Sequence, residues 1–324
     1  MTARATKDGT RALVREVLVA SRPFSWVNTA YPFAAGYLLA TDGRVDATFV
    51  VGTLFFLVPY NLLMYGINDV FDYASDLANP RKGGIEGGLV DPARAAAVHR
   101  RILWSCAAAV LPFVAYLLAV GSAAAGATLA LVLFLVVAYS APVLRFKERP
   151  VLDSLTSAMH FVGPLLYALV LVGADLTART TWPALVAFVL WGMASHAFGA
   201  VQDVRADREG GIASVATVLG AHPTVVGATL AYVASAAVLL VLPWPGVLAA
   251  GLPLLYAAST ARFWSVRDDD CERANHGWRT FLWLNLVAGA LVTMLLLAAA
   301  VERPGTDVAG AGTDAPTTGP VSTA

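Results

Sequence analysis

The chain has 324 residues, of which 58% are hydrophobic and only 14% charged, and its formal net charge is zero. An average soluble domain is about 25% charged, so this composition excludes an ordinary soluble protein. The zero net charge leaves no basic footprint for nucleic acid.

Residues 1–22 are polar and basic and read as a cytoplasmic N-terminal segment. Apolar blocks then recur near 23–41, 46–67, 101–120, 123–141, 152–173, 182–201, 222–243, 245–265 and 280–301. About 20 apolar residues cross a bilayer as a helix. The short alternating segments of a membrane β-barrel are absent, so the fold class is an all-α membrane protein with nine spans. The first block contains Trp26, Asn28 and Tyr31 and lacks a small-residue cleavage site, so it reads as a retained span. The spans make one domain, 23–301, and the Gly/Thr/Pro/Ala-rich tail 302–324 reads as disordered. With nine spans, 19 of the 22 Lys and Arg residues fall on one side, leaving Arg44, Arg179 and Arg303 on the other. The positive-inside rule then puts the N-terminus in the cytoplasm of a multi-pass cell-membrane protein. Cys106 and Cys271 have no Cys or His neighbour at metal-binding spacing and read as packing residues.

Two acidic clusters lie at the cytoplasmic ends of spans two and six. The first is Asn68, Asp69, Asp72 and Asp76; the second is Asp203 and Asp207. Positions four apart share a helix face, so Asn68, Asp72 and Asp76 form one stripe and Asp203 and Asp207 another. Carboxylates at this spacing repel unless a cation joins them. Opposed stripes would make a nest of hard oxygens, which suits magnesium bridging to phosphate. The metal-ligand candidates are Asp69, Asp72, Asp76, Asp203 and Asp207, with Asn68 beside them. Candidate diphosphate contacts are Arg22, the pair Arg81 and Lys82, and the group Tyr139, Arg145 and Lys147. Each also fits plain positive-inside charge or an interfacial tyrosine. Asn28, Asn61, His160 and His196 are polar groups inside spans. They line an acceptor cavity or quench a cation, or they bond a neighbouring helix. Asp153, near the start of a span, fits a helix cap.

The pattern of Asn68, Asp69, Asp72 and Asp76 with a distant Asp203 and Asp207 resembles the UbiA superfamily of intramembrane prenyltransferases, over roughly 20–300. The resemblance implies a nine-helix bundle with a cavity open to lipid. It also implies two Mg2+ ions bridged by a substrate diphosphate, whose ionisation yields an allylic carbocation. The run from Pro59 to Tyr73, the turn Asn79 to Gly84, and Tyr139 to Lys147 are similar to the lycopene elongase branch. That similarity implies dimethylallyl diphosphate as donor, lycopene as acceptor, fifty-carbon carotenoids as products, and carotenoid cyclase subunits as partners. In many members a lysine follows the tyrosine by four positions. Here Val143 takes that place, leaving the role between Arg145 and Lys147. The competing readings are prenyl transfer to a quinone precursor, haem or tetrapyrrole, and a cation-coupled transporter. A transporter predicts acids near the bilayer midplane, whereas both clusters lie at span ends.

Overall fold

The computed structural model describes residues 14–73 and 92–302, with side chains to 299. Asp76, Arg81 and Lys82, and the tail beyond Glu302, lie outside the described residues. All regular elements among the described residues are helical. We number them α1 (residues 14–20), α2 (Trp26–Ala40), α3 (Ala47–Leu57), α4 (Pro59–Phe71), α5 (Ala95–Val120), α6 (Ala123–Ser140) and α7 (Leu152–Leu171). There follow α8 (Trp182–Val201), α9 (Val204–Glu209), α10 (Val215–Leu219), α11 (Ala221–Leu239), α12 (Gly251–Ala261) and α13 (Ala274–Glu302).

Among the described residues, 7 helical segments are long and apolar enough to cross a membrane, with α3 and α4 together forming one of them. The other two expected spans coincide with shorter apolar helices. One is α2, of 15 residues; the other is the segment Gly246–Ala261 that ends in α12. Among the described residues helices thus lie at each of the nine expected positions, but only seven segments have the length and hydropathy of a span.

The α3–α4 break has a local cause. Pro59 has no N–H to continue the ladder, and the carbonyls before it need other donors. Asn61 Nδ2 supplies them, donating to the Phe56 and Leu57 carbonyls at 2.9 and 3.0 Å and to Thr29 Oγ1 at 2.6 Å. Thr29 in turn donates to the Phe56 carbonyl at 2.6 Å. Asn61 is fully buried and ties α4 to the end of α3 and to α2.

Two apolar cores fill the bundle. One gathers Phe33, Tyr37, Phe55, Phe56, Tyr60, Leu129, Val132 and Tyr167 from α2, α3, α4, α6 and α7. The other gathers Phe198, Val225, Tyr232, Tyr256 and Phe281 from α8, α11, α12 and α13. The α7–α8 pair joins them. Gly192 allows this approach, because a Cβ there would lie 2.8 Å from Ala158 Cβ. The N-terminal segment is also more than a polar leader. Ala20 of α1 is buried with Leu62, Val98 and Ile102, and Glu16 pairs with Arg94 at 3.1 Å and Arg101 at 3.6 Å.

Candidate active site at the helix ends

The first acidic cluster is built by the last turn of α4. Asn68 and Asp69 lie in that turn and Asp72 is its C-cap residue. Ser140, the last residue of α6, bridges the stripe. Its hydroxyl donates to Asn68 Oδ1 at 2.6 Å and reaches Asp72 Oδ2 at 3.5 Å. Asn68 and Asp72 thus share a face, as their spacing predicts.

Three cations close on these acids. Arg22 Nη2 pairs with Asp69 Oδ1 at 2.8 Å, while its guanidinium lies 4.4 Å from the Tyr65 ring centroid. Lys147 Nζ contacts Asp72 Oδ1, and Arg145 Nη2 lies 3.8 Å from the same oxygen. Arg145 is tied to Glu148 as well. That bond raises the arginine's pKa and holds the Glu148 carboxyl below its usual range. Both loop cations bear on Asp72, with Lys147 the nearer and Arg145 braced from behind.

The backbone that delivers these cations, before α2 and between α6 and α7, is conformationally costly. Arg22 and Arg145 have φ of 48° and 37°, and Val143 and Val151 have φ of 75° and 72°. Positive φ is rare for residues other than glycine and worst for β-branched ones, so this backbone is held by its contacts.

Asp203 is the N-cap residue of α9, and Asp207 lies within that short helix. The surrounding frame is fixed by other pairs. Arg208 donates to the Thr217 carbonyl at 2.8 Å and to Asp268 Oδ2 at 2.5 Å, and Arg205 pairs with Glu272 at 3.1 Å. Among the described residues no three Asp, Glu, His or Cys side chains are grouped as a set that could hold a metal ion, and Asp76 lies outside them. At the first cluster Asp69 pairs with Arg22, and Asp72 with Lys147 and Arg145.

The donor set still suits a hard divalent ion. Asn68 offers an amide oxygen, and Asp69, Asp72, Asp203 and Asp207 offer carboxylates, which is oxygen chemistry of the kind magnesium prefers. Two of these carboxylates already attract cations strongly, so the same positions suit a metal carrying phosphate.

Deeper in the bundle, Tyr139 lies edge-on to His160 and His196, with centroids 5.1 and 6.4 Å away. His160 is buried at 5% exposure, and its carbonyl accepts from Tyr60 at 3.3 Å. Asn28 is exposed near the start of α2. Asp153 is not a cap: the N-cap position is Val151, and the Asp153 carboxylate reaches across to the Val215 N–H at 2.8 Å. Sequence reasoning undervalued Asp153, Ser140 and Glu148. A lone acid opening an apolar run was the available signal for the first. The second follows Tyr139 directly, and the third sits at helical spacing from Arg145.

Comparison with known proteins places this geometry. The model of the UbiA prenyltransferase family matches residues 29–286. The chain is 53% identical over 292 residues to the C(50) beta-cyclic carotenoids biosynthesis protein of Dietzia sp., covering 90% of this chain. The match spans 66% of that longer relative. Identity to the lycopene elongase/hydratase of Corynebacterium glutamicum is 47% over 285 residues, covering 88% of this chain and 97% of that protein. A UbiA homolog from Archaeoglobus fulgidus, solved bound to DMAPP and Mg2+, superposes with a TM-score of 0.64 at 17% identity. That superposition covers 85% of this chain and 99% of the other, and it speaks to fold alone. Helices that suit a membrane, acids gathered at helix ends, and a family match running through both acidic clusters agree on one assignment: the chain belongs to the UbiA prenyltransferase family and is a multi-pass membrane prenyltransferase.

Proposed function

We propose that the enzyme transfers dimethylallyl groups from dimethylallyl diphosphate to the ends of lycopene, giving fifty-carbon carotenoids of the flavuxanthin and decaprenoxanthin type. The observation that carries this reading is the 47% identity to a lycopene elongase/hydratase over 97% of that protein's length. The cation-lined acidic cluster supports the donor half of the reaction.

In this reading Asn68, Asp69, Asp72, Asp203 and Asp207 hold two magnesium ions together with the donor's diphosphate. Magnesium supplies Lewis-acid stabilisation of the departing diphosphate. Arg22, Lys147 and Arg145 bind the same head group. They sit on Asp69 and Asp72 with about the reach of one side chain, and a diphosphate oxygen is an equally good partner for each. Binding therefore needs rearranged pairing and no distant motion. Arg81 and Lys82 add charge from the loop after the first cluster, and Asp76 adds a further oxygen.

The departing diphosphate leaves an allylic cation that bulk water would capture, so a dry cavity is required. The terminal double bond of lycopene attacks that cation, and the new tertiary cation is quenched by proton loss or by water. Tyr139, the residue before Ser140, lies edge-on to His160 and His196 and is a candidate contact near the donor. Asn28, exposed near the start of α2, is a candidate contact for the acceptor. The N-terminus faces the cytoplasm of the cell membrane, which puts the donor site on the side where a soluble diphosphate is available.

Pigment mass analysis in a lycopene-producing host tests the reading. The expected result is new carotenoids heavier than lycopene by one and two five-carbon units less protons. Unmodified lycopene beside membrane-inserted enzyme would refute it.

A further inference from the structure

A second group of ionisable side chains lies beside the donor site and takes no part in binding the head group. Asp153 is 0% exposed, and its carboxylate is enclosed by donors. Oδ1 accepts from the Ser154 N–H at 2.7 Å and from its hydroxyl at 3.3 Å. Oδ2 accepts from the Val215 N–H at 2.8 Å and lies 3.8 Å from His196 Nε2. His196 is 20% exposed, and Tyr139 stands edge-on to it. Three helices thus bring an acid, an imidazole and a phenol together. His196 precedes Asp203 by about two helical turns, so it sits about 10 Å farther along the bundle from the second acidic cluster.

The close approach of α7 and α8 sets this pairing. Gly192, one turn before His196, faces Ala158 so closely that a Cβ would lie 3.0 Å from its Cα. A larger residue there would separate the two helices and so Asp153 from His196.

The chemical need for this pair rests on the prenyl-transfer reading above. Alkylation of a double bond leaves a tertiary carbocation, and in a dry bundle the proton it sheds requires a fixed acceptor. A carboxylate beside Nε2 favours the tautomer protonated there, which leaves the Nδ1 lone pair as acceptor. It also stabilises the imidazolium that forms. Asp153 itself is fully enclosed and cannot reach substrate. His160 has a buried Nε2 without a hydrogen-bond partner, and among the described residues no carboxylate pairs with it to stabilise a gained proton.

We propose that His196 is the proton acceptor that ends the reaction and that Asp153 is its positioning residue. The C–H bond next to the cation breaks, its electron pair becomes the new C=C bond, and the proton passes to His196 Nδ1.

The test measures diphosphate release and formation of the deprotonated five-carbon addition product side by side. Purified enzyme is placed in liposomes containing lycopene and given dimethylallyl diphosphate and Mg2+. Wild type should release about one diphosphate for each unit added. In His196→Gln, the deprotonated product should fall about 10²–10⁴-fold, the range for loss of a general base. Diphosphate release should continue, because water captures the stranded tertiary cation as a hydroxylated carotenoid. Asp153→Asn should uncouple the two rates in the same direction but less. A purely structural role would lower both rates together. Parallel loss in both variants, near-normal formation of the deprotonated product in His196→Gln, or uncoupling by His160→Gln in its place would each overturn the proposal. Absence of any addition by wild type would instead overturn the lycopene reading on which it rests.

Discussion

Replacing Lys147 with methionine isolates the buried charge of Asp72. The carboxylate is 3% exposed, touches Lys147 Nζ, and has Arg145 Nη2 at 3.8 Å. At an effective dielectric of about 20, unit charges 3.8 Å apart attract by about 4 kcal/mol, and the closer lysine by more. Desolvation offsets much of this, and removing one member of a buried pair typically costs about 3–5 kcal/mol. Arg145 remains to compensate but is shared with Glu148 and 31% exposed, so Lys147→Met should cost about 2–3 kcal/mol. Asp72→Asn should cost less, about 1–2 kcal/mol, because the lysine it frees is at the edge of the bundle and can turn to water. The double variant should therefore be no worse than Lys147→Met alone, a coupling of at least about 1 kcal/mol. Turnover should behave oppositely: Asp72→Asn abolishes it, and the double variant does not recover it. Thermal unfolding in one fixed detergent, with dimethylallyl transfer assayed on the same preparations, measures both. Strict additivity of the two stability losses, or recovered turnover in the double variant, would refute the reasoning.

Arg22→Ala removes both the 2.8 Å pair to Asp69 and the contact over Tyr65. It should raise the donor's KM about tenfold or more, as expected when a charge-assisted contact worth about 1.5–3 kcal/mol is lost, and steady-state kinetics will show it. Asn61→Leu strips donors from the Phe56 and Leu57 carbonyls. It should lower stability by about 1–3 kcal/mol while activity per folded molecule is retained, checked by melting temperature against specific activity. The Arg145–Glu148 bond holds the Glu148 carboxyl below its ordinary value of 4.5. Its stabilisation is therefore fully present above that value and lost as pH falls through the lowered one. Melting temperature should show no pH dependence from this pair between about pH 6 and 8, and Glu148→Gln should flatten part of the acid-side decline.

Much of this architecture was legible because hydropathy acts locally. Apolar blocks gave the helices, and helical spacing put Asn68 and Asp72 on one face before Ser140 showed how they are joined. Arg22, Arg145 and Lys147 were visible as cations near the right membrane face. What the sequence did not show were pairings between distant residues. Asp153 looks like a cap because its neighbours are local in sequence, whereas its true partners, Val215 and His196, come from other helices. Asn61 stayed open in the sequence between a cavity residue and a bond to a neighbouring helix, because its bonding depends on a break made by Pro59 and on Thr29 from α2. The N-terminal segment read as polar leader because only a few of its residues, Ala20 among them, are buried. The cations near the acidic stripes were legible as charges, but not which acid each one meets: Arg22 pairs with Asp69 and Lys147 with Asp72.

The central claim is that the acidic helix ends activate dimethylallyl diphosphate for transfer to lycopene. The most direct measurement uses deuterium-labelled dimethylallyl diphosphate with purified enzyme in lycopene-bearing liposomes, followed by mass analysis of the extracted carotenoid. The account predicts label in products one and two five-carbon units larger than lycopene, abolished by chelation, restored by Mg2+, and absent with Asp72→Asn. Label found only in dimethylallyl alcohol, or carotenoid labelling that survives both chelation and Asp72→Asn, would contradict it.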